Sequence, residues 1–351
     1  MSAKQCGRLW RYRQGRVKKG RITVTIPSVT EIPVELVRLV VALIALAAFI
    51  GLNGLVLVYV ERKVAGHVQR RPGPFEVGPH GLLQPLVDAA KLIGKQLVTP
   101  QGADKILFWV APVLSFLPVF VLFMPIPFGE TVFALDTNLG LLLILAFAGL
   151  GVLSLCLAGW ASNNKWSLLG AARAVAQSVA YEIPLLLAVL TIAMQTGTLD
   201  LMDMVRSQGA WPWQWNIVCQ PVAFFIYFVS AIGETNRAPF DLPEAESELT
   251  AGFHTEYSGM GFGLFFLAEY ANMIVVCAVA TILFLGGWQG PFFSGAVWFL
   301  AKLYILLLLI IWFRWTYPRV RFDQLLNINW KWLLPLALAN LLVTAFVIKL
   351  F

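Results

Sequence analysis

Six carboxylates are crowded into one segment of the chain, residues 234–257, in which Arg237 is the single lysine or arginine. Apolar stretches long enough to cross a lipid bilayer lie on both sides of this segment. Like charges that crowd together beside a medium of low dielectric constant raise one another's pKa values toward neutrality. We therefore interpret these acids as groups that bind and release protons at physiological pH; a solvated acidic surface is the alternative. The six are Glu234, Asp241, Glu244, Glu246, Glu248 and Glu256.

Two further glutamates, Glu182 and Glu269, lie well inside stretches that are predicted to span the membrane. A charged side chain at the centre of a bilayer costs about 2.5–3.5 kcal/mol, so such a residue must be protonated, paired or hydrated. We interpret both as members of a proton relay; the alternative is a protonated glutamate that hydrogen-bonds a neighbouring helix. Arg38 and Lys302 lie nearer the ends of predicted spans, where we expect their charged groups to snorkel to the interface; a functional role is the alternative for Lys302, which lies five residues into its span.

The composition is that of a membrane protein. Of the 351 residues, 59% are hydrophobic and 13% are charged, and the mean hydropathy is +0.75. Because lipid cannot hydrogen-bond the backbone, evenly spaced apolar stretches predict a bundle of helices. The net charge of +7 is assigned to the N-terminus and to cytoplasmic loops, and it indicates contact with a membrane surface rather than with nucleic acid.

The apolar stretches predict an all-α polytopic membrane protein with about eight transmembrane helices. Each stretch has a length of about 17–25 residues, as a helix that crosses a bilayer requires. The predicted spans are residues 36–60, 106–127, 139–160, 174–194, 213–232, 261–285, 297–313 and 332–348, and the predicted cytoplasmic loops are residues 61–105, 161–173, 233–260 and 314–331.

Residues 34–351 are predicted to form a single membrane domain that follows a basic N-terminal tail, residues 1–33. The four cytoplasmic loops hold 14 lysines and arginines, whereas the opposite loops and the C-terminus hold Arg206 and Lys349. This bias sets the predicted orientation, although the eight lysines and arginines of the tail oppose it. The apolar run after the tail is too long for a signal peptide, so we expect the tail to be retained.

The first cytoplasmic loop carries an amphipathic pattern. Its apolar and polar residues recur at spacings of three and four on opposite sides of one helix, which predicts an interfacial helix with its apolar side toward the membrane. This helix is either a simple anchor or one wall of an opening at the level of the lipid. The apolar stripe is Leu83, Leu86, Ala90, Ile93 and Leu97, and the polar stripe is Gln84, Asp88, Lys91 and Lys95.

No pattern of metal or cofactor ligands is evident in the sequence. The four cysteines are scattered, the three histidines lie outside the predicted spans, and nucleotide-binding and nucleophile motifs are not found. We therefore expect no metal site, no bound cofactor and no redox centre in this chain.

Several motifs, in order along the chain, resemble those of the NADH dehydrogenase subunit 1 family of respiratory complex I, which includes the corresponding membrane subunit of bacterial NADH–quinone oxidoreductase. The acidic segment carries the most specific of them, E-T-N-R-A-P-F-D-L-P-E-A-E-S-E-L followed by G-F-H-T-E-Y. The others are V-E-R-K (60–63), G-P-H-G-L-L-Q-P (78–85), A-G-W-A-S-N-N-K (158–165), Y-E (181–182), A-E-Y-A-N (268–272) and Y-P-R-V-R-F-D-Q-L (317–325).

The resemblance implies a multi-pass subunit of a proton-translocating NADH–quinone oxidoreductase in the cell inner membrane. Such a subunit forms part of the channel for the quinone substrate, for example ubiquinone, and starts a carboxylate path that couples quinone reduction to proton translocation. It implies as partners the peripheral subunits of the quinone site and the terminal cluster, the adjacent small membrane subunits, the quinone and the lipid bilayer. FMN and Fe–S clusters are expected only in partner subunits.

The resemblance also implies roles for individual residues. The acids of the proton path are similar to Glu182, Glu234, Asp241, Glu244, Glu246, Glu248 and Glu269, with Arg237 among them. Residues along the quinone entry are similar to Arg62, Arg71, Asp88 and Lys91, and Phe266 is a candidate at the lipid face. The sequence departs from the family at Gln96, where an acid is frequent, and at Phe75, where an asparagine is usual.

Three other functions are compatible with the pattern of residues. The nearest is the equivalent subunit of a related complex, such as a membrane-bound hydrogenase or an F420H2 dehydrogenase. An autonomous proton-coupled transporter would take up its substrate as a purified chain in liposomes. A purely structural scaffold would tolerate neutralisation of its buried acids.

Overall fold

The computed structural model describes residues 32–135, 137–243, 251–291 and 295–350. Most of the N-terminal tail, the carboxylates Glu244, Glu246 and Glu248, and the side chain of Arg38 lie outside the described residues. The helices of the described part are α1 (Ile32–Val68), α2 (Gln84–Gly94), α3 (Lys105–Phe123), α4 (Gly140–Ala161), α5 (Lys165–Thr196), α6 (Leu201–Arg206), α7 (Asn216–Cys219), α8 (Pro221–Glu234), α9 (Gly259–Phe284), α10 (Gly295–Thr316), α11 (Phe322–Ile328) and α12 (Leu334–Leu350).

Seven helical stretches within the described residues are long and apolar enough to cross a membrane. They are α1, α3, α4, α5, α9, α10 and the continuous stretch Phe322–Leu350, which comprises α11, a π-helical turn and α12. The prediction of an all-α polytopic membrane protein is confirmed.

The predicted fifth span, residues 213–232, is not one continuous helix. A 3-10 turn (Pro212–Gln214) and the short helix α7 precede α8, which has 14 residues. The chain breaks at Gln220, whose φ is −129°, because Pro221 has no N–H to donate into a preceding helical turn. At 1.5 Å per residue α8 is about 21 Å long, so it is shorter than a helix that crosses the membrane without help from its neighbours.

Among the helices that extend beyond the predicted spans, α1 and α5 show the reason. α1 continues to Val68, eight residues past the predicted end of its span, and α5 begins at Lys165, nine residues before the predicted start of its own. Hydropathy falls where charged residues begin, but the limits of a helix are set by its backbone hydrogen bonds. The start of α5 is marked by Asn164, whose side chain accepts a hydrogen bond from the backbone N–H of Trp166 at 3.0 Å.

The predicted amphipathic helix is confirmed as α2. Leu86 and Ile93 on its apolar stripe are 56% and 69% exposed in the isolated chain. Asp88 on the opposite stripe accepts hydrogen bonds from Arg62 of α1 at 2.5 Å and from Gln84 at 3.0 Å. The polar side of α2 is therefore tied to α1, and its apolar side is left for the membrane.

The most enclosed of the spans is α9. Of its most apolar 18-residue window 78% is buried, compared with 17% for the stretch that ends in α12. It packs against α1, α2, α3, α8 and α10. Residues that project from α9 therefore meet side chains from three other spans, α1, α3 and α10, and from the shorter helices α2 and α8.

Candidate functional site

The centre of the site is a buried ion pair between Arg237 and Glu269. Arg237 follows α8 and Glu269 lies on α9, and the guanidinium Nε is 2.9 Å from the carboxylate, with side chains 4% and 15% exposed. The guanidinium also lies over the ring of Tyr270, 4.4 Å from its centroid. Two residues that were predicted to act together are therefore in direct contact.

A second ion pair adjoins the first. Glu61, near the end of the apolar part of α1, pairs with Arg314 of α10 and accepts a hydrogen bond from the hydroxyl of Tyr270. Because Tyr270 contacts both Glu61 and Arg237, it connects the two ion pairs. Side chains from α1, α9, α10 and the segment after α8 thus form one charged cluster.

A cavity of about 840 Å³ lies on one side of this cluster. Apolar residues of α3 and α4 form one wall, including Val119 and Phe147. The polar wall contains three of the predicted proton-path acids together with two arginines, namely Glu234, Asp241, Glu269, Arg314 and Arg319. We call this space the acidic cavity.

A second cavity, of about 560 Å³, lies on the other side of the cluster. Arg62 and Arg71, which were predicted to lie along a quinone entry, line it together with Phe266. Glu61, Arg237, Tyr270, Arg314 and Trp315 complete its polar and aromatic wall. We call this space the basic cavity.

The two cavities share a wall. Phe266 and Arg314 line both of them. Arg237 lines the basic cavity, whereas its partner Glu269 lines the acidic cavity. A charge that enters the basic cavity is therefore one ion pair away from a carboxylate of the acidic cavity.

Asp241 lies in the acidic cavity and pairs with Arg319, whose Nη2 is 3.2 Å from Oδ2. Burial raises the pKa of Asp241, and the positive charges of Arg319, Arg314 and Arg237 oppose that shift without cancelling it, so the pKa lies above its ordinary value. This carboxyl therefore holds a proton at a higher pH than a solvated aspartate does.

His254 also lines the acidic cavity, although the sequence had suggested no role for it. It lies in a 3-10 turn, Gly252–His254, and its ring packs against the rings of Phe253 and Phe262. Burial of the imidazole lowers its pKa from 6.5 to about 4. The ring is therefore neutral at physiological pH and adds no positive charge to the cavity.

α5 holds both ends of the acidic segment. The side-chain amide of Gln177 donates hydrogen bonds to the carbonyl groups of Gly233 at 2.8 Å and Phe240 at 2.7 Å. Nearer the start of α5, the hydroxyl of Ser167 donates to the carbonyl of Phe253 at 2.9 Å. The segment is therefore anchored to one rigid helix at its beginning and at its end.

Glu182 lies on α5, half-buried, and its charge acts on Glu234. A Cβ atom at Gly149 of α4 would be 3.9 Å from its Oε1, so Glu182 faces α4. Ser178, one helical turn earlier, lines the acidic cavity, whereas Glu182 is not among the described residues of that lining. Glu182 is therefore connected to the acidic cavity by its electrostatic interaction with Glu234, which lines that cavity.

Asp88 and Lys91 lie on α2 and are not among the described residues that line the basic cavity. Asp88 is connected to it through its ion pair with Arg62. Burial alone would raise the pKa of Asp88, but the hydrogen bonds from Arg62 and Gln84 and the positive charges of Arg62 and Lys91 together outweigh burial, and the pKa lies below its ordinary value. Lys91 is exposed on the same helix.

The sequence reasoning assigned no role to Glu61, Tyr270, Arg314 or Arg319, which complete the charged cluster. A signal was present for three of them, because Glu61, Tyr270 and Arg319 stand inside quoted motifs, V-E-R-K, A-E-Y-A-N and Y-P-R-V-R-F-D-Q-L. Glu61 and Arg314 also directly follow the last residue of a predicted span. In the folded chain these two residues pair with each other inside the bundle.

Within the described part of the chain, no group of three or more His, Cys, Asp and Glu residues is arranged to hold a metal ion. The expectation of a chain without a redox centre stays a prediction.

Comparison with known proteins finds similarity over nearly the whole chain. Residues 40–345 match the profile of a protein family described as NADH dehydrogenase. The H subunit of NADH-quinone oxidoreductase from Desulfotalea psychrophila is 53% identical over 324 residues, which cover 89% of this chain and 97% of that protein. The protein of the same name from Dehalococcoides mccartyi is 50% identical, covering 88% of this chain and 87% of its own length. A counterpart from Geobacter sulfurreducens is 45% identical, with coverages of 90% and 96%.

Proposed function

Because this chain belongs to the NADH dehydrogenase family, we propose that its basic cavity is part of a quinone channel and that its acidic cavity starts a proton path. The chain is a membrane subunit of NADH–quinone oxidoreductase and works with the other subunits of that enzyme. It carries several membrane-spanning helices. The two cavities are what this subunit would contribute to the reaction.

The chemistry of the basic cavity supports quinone binding. A quinone has a polar head and an apolar tail, and it needs hydrogen-bond donors beside aromatic or aliphatic walls. Arg62 and Arg71 supply donors, and Phe266 and Trp315 supply apolar surface. The ion pair between Arg62 and Asp88 joins this cavity to α2, whose apolar stripe is exposed, so α2 is the proposed wall on the lipid side.

The acidic cavity supports proton transfer because several carboxylates share one buried space. Such groups cannot all ionise cheaply, and their protons belong to the set rather than to single residues. The proposed path comprises Glu182, Glu234, Asp241 and Glu269, together with Glu244, Glu246 and Glu248 of the acidic segment.

The shared wall is the proposed means of coupling. A unit charge about 8 Å from a carboxylate, on the far side of an ion pair, changes the free energy of the ionised carboxylate by about 2 kcal/mol at an effective dielectric constant of 20. That energy corresponds to about 1.5 pKa units, which is enough to move a proton near neutral pH. A change of charge in the basic cavity would act through Arg237 and Arg314 on Glu269 and its neighbours.

The location and the partners of the chain are proposals of the same kind. We place the subunit in the cell inner membrane, in contact with the peripheral subunits of the quinone site and terminal cluster and with small membrane subunits. FMN and the Fe–S clusters would belong to those partners.

The contact between Glu269 and Arg237 carries the proposal, and Glu269→Gln in the intact complex tests it. We expect proton pumping in proteoliposomes to fall roughly tenfold or more, because the neutral amide loses the charge attraction to Arg237. Each 1.36 kcal/mol of lost interaction corresponds to a factor of ten. Oxidation of NADH by an artificial acceptor should be unchanged. Glu130→Gln, at an exposed site between α3 and α4, is the control. Normal pumping by the Glu269 variant would refute the proton path.

Steady-state reduction of quinone by NADH, measured on the intact complex at varied quinone concentration, tests the quinone channel. Arg71 lines the basic cavity and is not among the described residues that line the acidic cavity, so Arg71→Gln changes the basic cavity without changing the described lining of the acidic one. We expect the KM for quinone to rise by about tenfold, the effect of one charge-assisted hydrogen bond. An unchanged KM for quinone would contradict the assignment of this cavity.

A further inference from the structure

Lys302 was expected to snorkel to the interface because it lies near one end of the predicted span 297–313. In the structure it does not. It is 4% exposed, and its ammonium donates hydrogen bonds to three backbone carbonyl groups. The acceptors are Leu285 at 2.6 Å, Gly287 at 3.0 Å and Gln289 at 2.7 Å. An ammonium has three N–H donors, and all three are used here.

The three carbonyl groups belong to the turn that directly follows α9. The last helical residue is Phe284, and the next carbonyl groups have no partner within the helix. Gly286 and Gly287 have φ values of 74° and 53° and turn the chain back, so that carbonyl groups converge on one point. The helix dipole also places partial negative charge at this end. Lys302 therefore supplies a cation where hydrogen bonding and electrostatics both favour one.

Two tryptophans enclose the ammonium. Its nitrogen lies 4.1 Å from the ring centroid of Trp215 and 5.8 Å from that of Trp298, distances at which cation–π attraction operates. Glycine makes this approach feasible, since a Cβ atom at Gly286 would come within 2.8 Å of Trp215 and one at Gly290 within 2.3 Å of Trp298. The turn after α9 is therefore shaped to hold a desolvated cation.

Other side chains hold neighbouring carbonyl groups of the same helix end. The amide of Gln208 donates to the carbonyl of Ile282 at 2.8 Å, and the amide of Asn216 donates to that of Leu283 at 2.8 Å. The end of α9 is thus fixed by residues from three different parts of the chain. Lys302 provides the charged member of this arrangement.

We propose that Lys302 is a positioning residue for the coupled reaction, a cationic cap that fixes α9 along its axis and thereby holds Glu269 against Arg237. Glu269 lies 16 residues before Leu285 on the same helix, about 24 Å away, and a rigid helix transmits an axial displacement over that distance. The effect on pumping rests on the function proposed above. Each N–H of Lys302 already donates to a carbonyl oxygen, so loss of a proton would leave a nitrogen lone pair facing a carbonyl oxygen. Because that contact is repulsive, the site favours a cap over a proton carrier.

Two variants in the intact complex separate a cap from a proton carrier. Lys302→Met removes the cation and leaves three buried carbonyl groups without their donor, so we expect a lower melting temperature of the complex and at least about a tenfold loss of pumping. Lys302→Arg keeps a charge that cannot be released in proteins, so a cap predicts that pumping is largely retained. Loss of pumping by an assembled arginine variant, or wild-type behaviour of the methionine variant, would overturn the proposal. Lys349→Met, at the exposed end of α12, is the control.

A third variant tests the cap without placing a larger side chain in the site. Lys302→Ala leaves a space for n-propylammonium, and we expect that ion, but not n-propanol, to restore the melting temperature and pumping. Equal effects of the two compounds, or no effect of either, would contradict a cationic cap.

The infrared band of the Glu269 carboxyl, identified by its loss in Glu269→Gln, reports position independently of pumping. It should shift in Lys302→Met and return in Lys302→Arg. If Glu269→Gln pumps normally while this shift is observed, the proton path fails and the cap stands. A band that does not shift would overturn the positioning role alone.

Discussion

At the scale of single residues, Asp88 and Asp241 show how surroundings decide the protonation of a carboxyl group. Both are partly buried, and both contact an arginine. Burial raises the pKa in each case. At Asp88 the hydrogen bonds and positive charges of its neighbours together outweigh burial, whereas at Asp241 the positive charges of the nearby arginines do not. The pKa values therefore move in opposite directions from their common ordinary value of 3.8.

This difference predicts the order in which the two groups titrate. Infrared spectroscopy as the pH falls should detect protonation of Asp241 before that of Asp88, with each band assigned by an Asp→Asn variant. Asp88 contributes stability that is present above pH 3.8 and is lost as the pH falls through its lower folded-state pKa. Asp241 contributes stability that is present below pH 3.8 and is lost as the pH rises through its higher folded-state pKa.

Arg319→Gln should raise the pKa of Asp241 further, because it removes the largest opposing charge. Arg206→Gln serves as the control, since Arg206 pairs with Asp203 on the exposed side of α6, outside the acidic cavity. The reverse order of titration, or an unmoved Asp241 band in Arg319→Gln, would show that burial does not dominate at this site.

At the scale of elements, α5 determines where the acidic segment lies. Its Gln177 and Ser167 bind the two ends of the segment, and its Gly170 allows the backbone of the Gly252–His254 turn to approach closely. A Cβ atom at Gly170 would lie 2.7 Å from the Cα of Gly252. This contact brings His254 to the wall of the acidic cavity.

Gly170→Ala should therefore displace the turn and lower the stability of the complex by roughly 1–3 kcal/mol, as overpacking of a close contact does. We expect a lower melting temperature together with weaker pumping. Gly51→Ala on α1 is the matched control, because no heavy atom lies within 4 Å of its added Cβ, and alanine is favoured over glycine inside a helix. Equal behaviour of the two variants would contradict the close contact of α5 with the turn.

At the scale of the whole molecule, the bundle exposes large apolar side chains along several spans. Ile106 of α3 is 76% exposed, and Leu342 and Phe346 of α12 are 66% and 64% exposed. In a membrane subunit of a larger enzyme these surfaces meet lipid or neighbouring subunits. α9, in contrast, is enclosed, and the charged cluster lies around it.

The distribution of lysine and arginine predicts which end of the bundle faces the cytoplasm. Arg206 and Lys331 are exposed at positions that the prediction assigns to opposite sides. In a background in which the native cysteines are replaced by serine, a membrane-impermeant maleimide should label Arg206→Cys from outside the cell. Lys331→Cys should react only when the cytoplasmic side is accessible. Labelling of both variants from one side would refute the predicted orientation.

The sequence by itself determined the class of protein and its family. Hydropathy and the length of apolar stretches are properties of the linear chain, and lipid imposes them directly, so an all-α membrane bundle could be predicted. Ordered motifs identified the family, and comparison with known proteins confirmed it. The sequence assigned Arg237 and Glu269 to one set of proton-path residues, but it did not predict that the two form an ion pair. The break at Pro221 was missed because an average over about 19 residues conceals a single residue without an N–H.

Only the tertiary structure decided which charges meet. Glu61 and Arg314 are 253 positions apart, and nothing local in either segment specifies the other as its partner. Lys302 was misjudged for the same reason, since depth in a span does not reveal that the turn after α9 offers three carbonyl groups to its ammonium. Desolvation, charge and hydrogen bonding act over a few ångströms of space, and the path of the folded chain decides which residues share them.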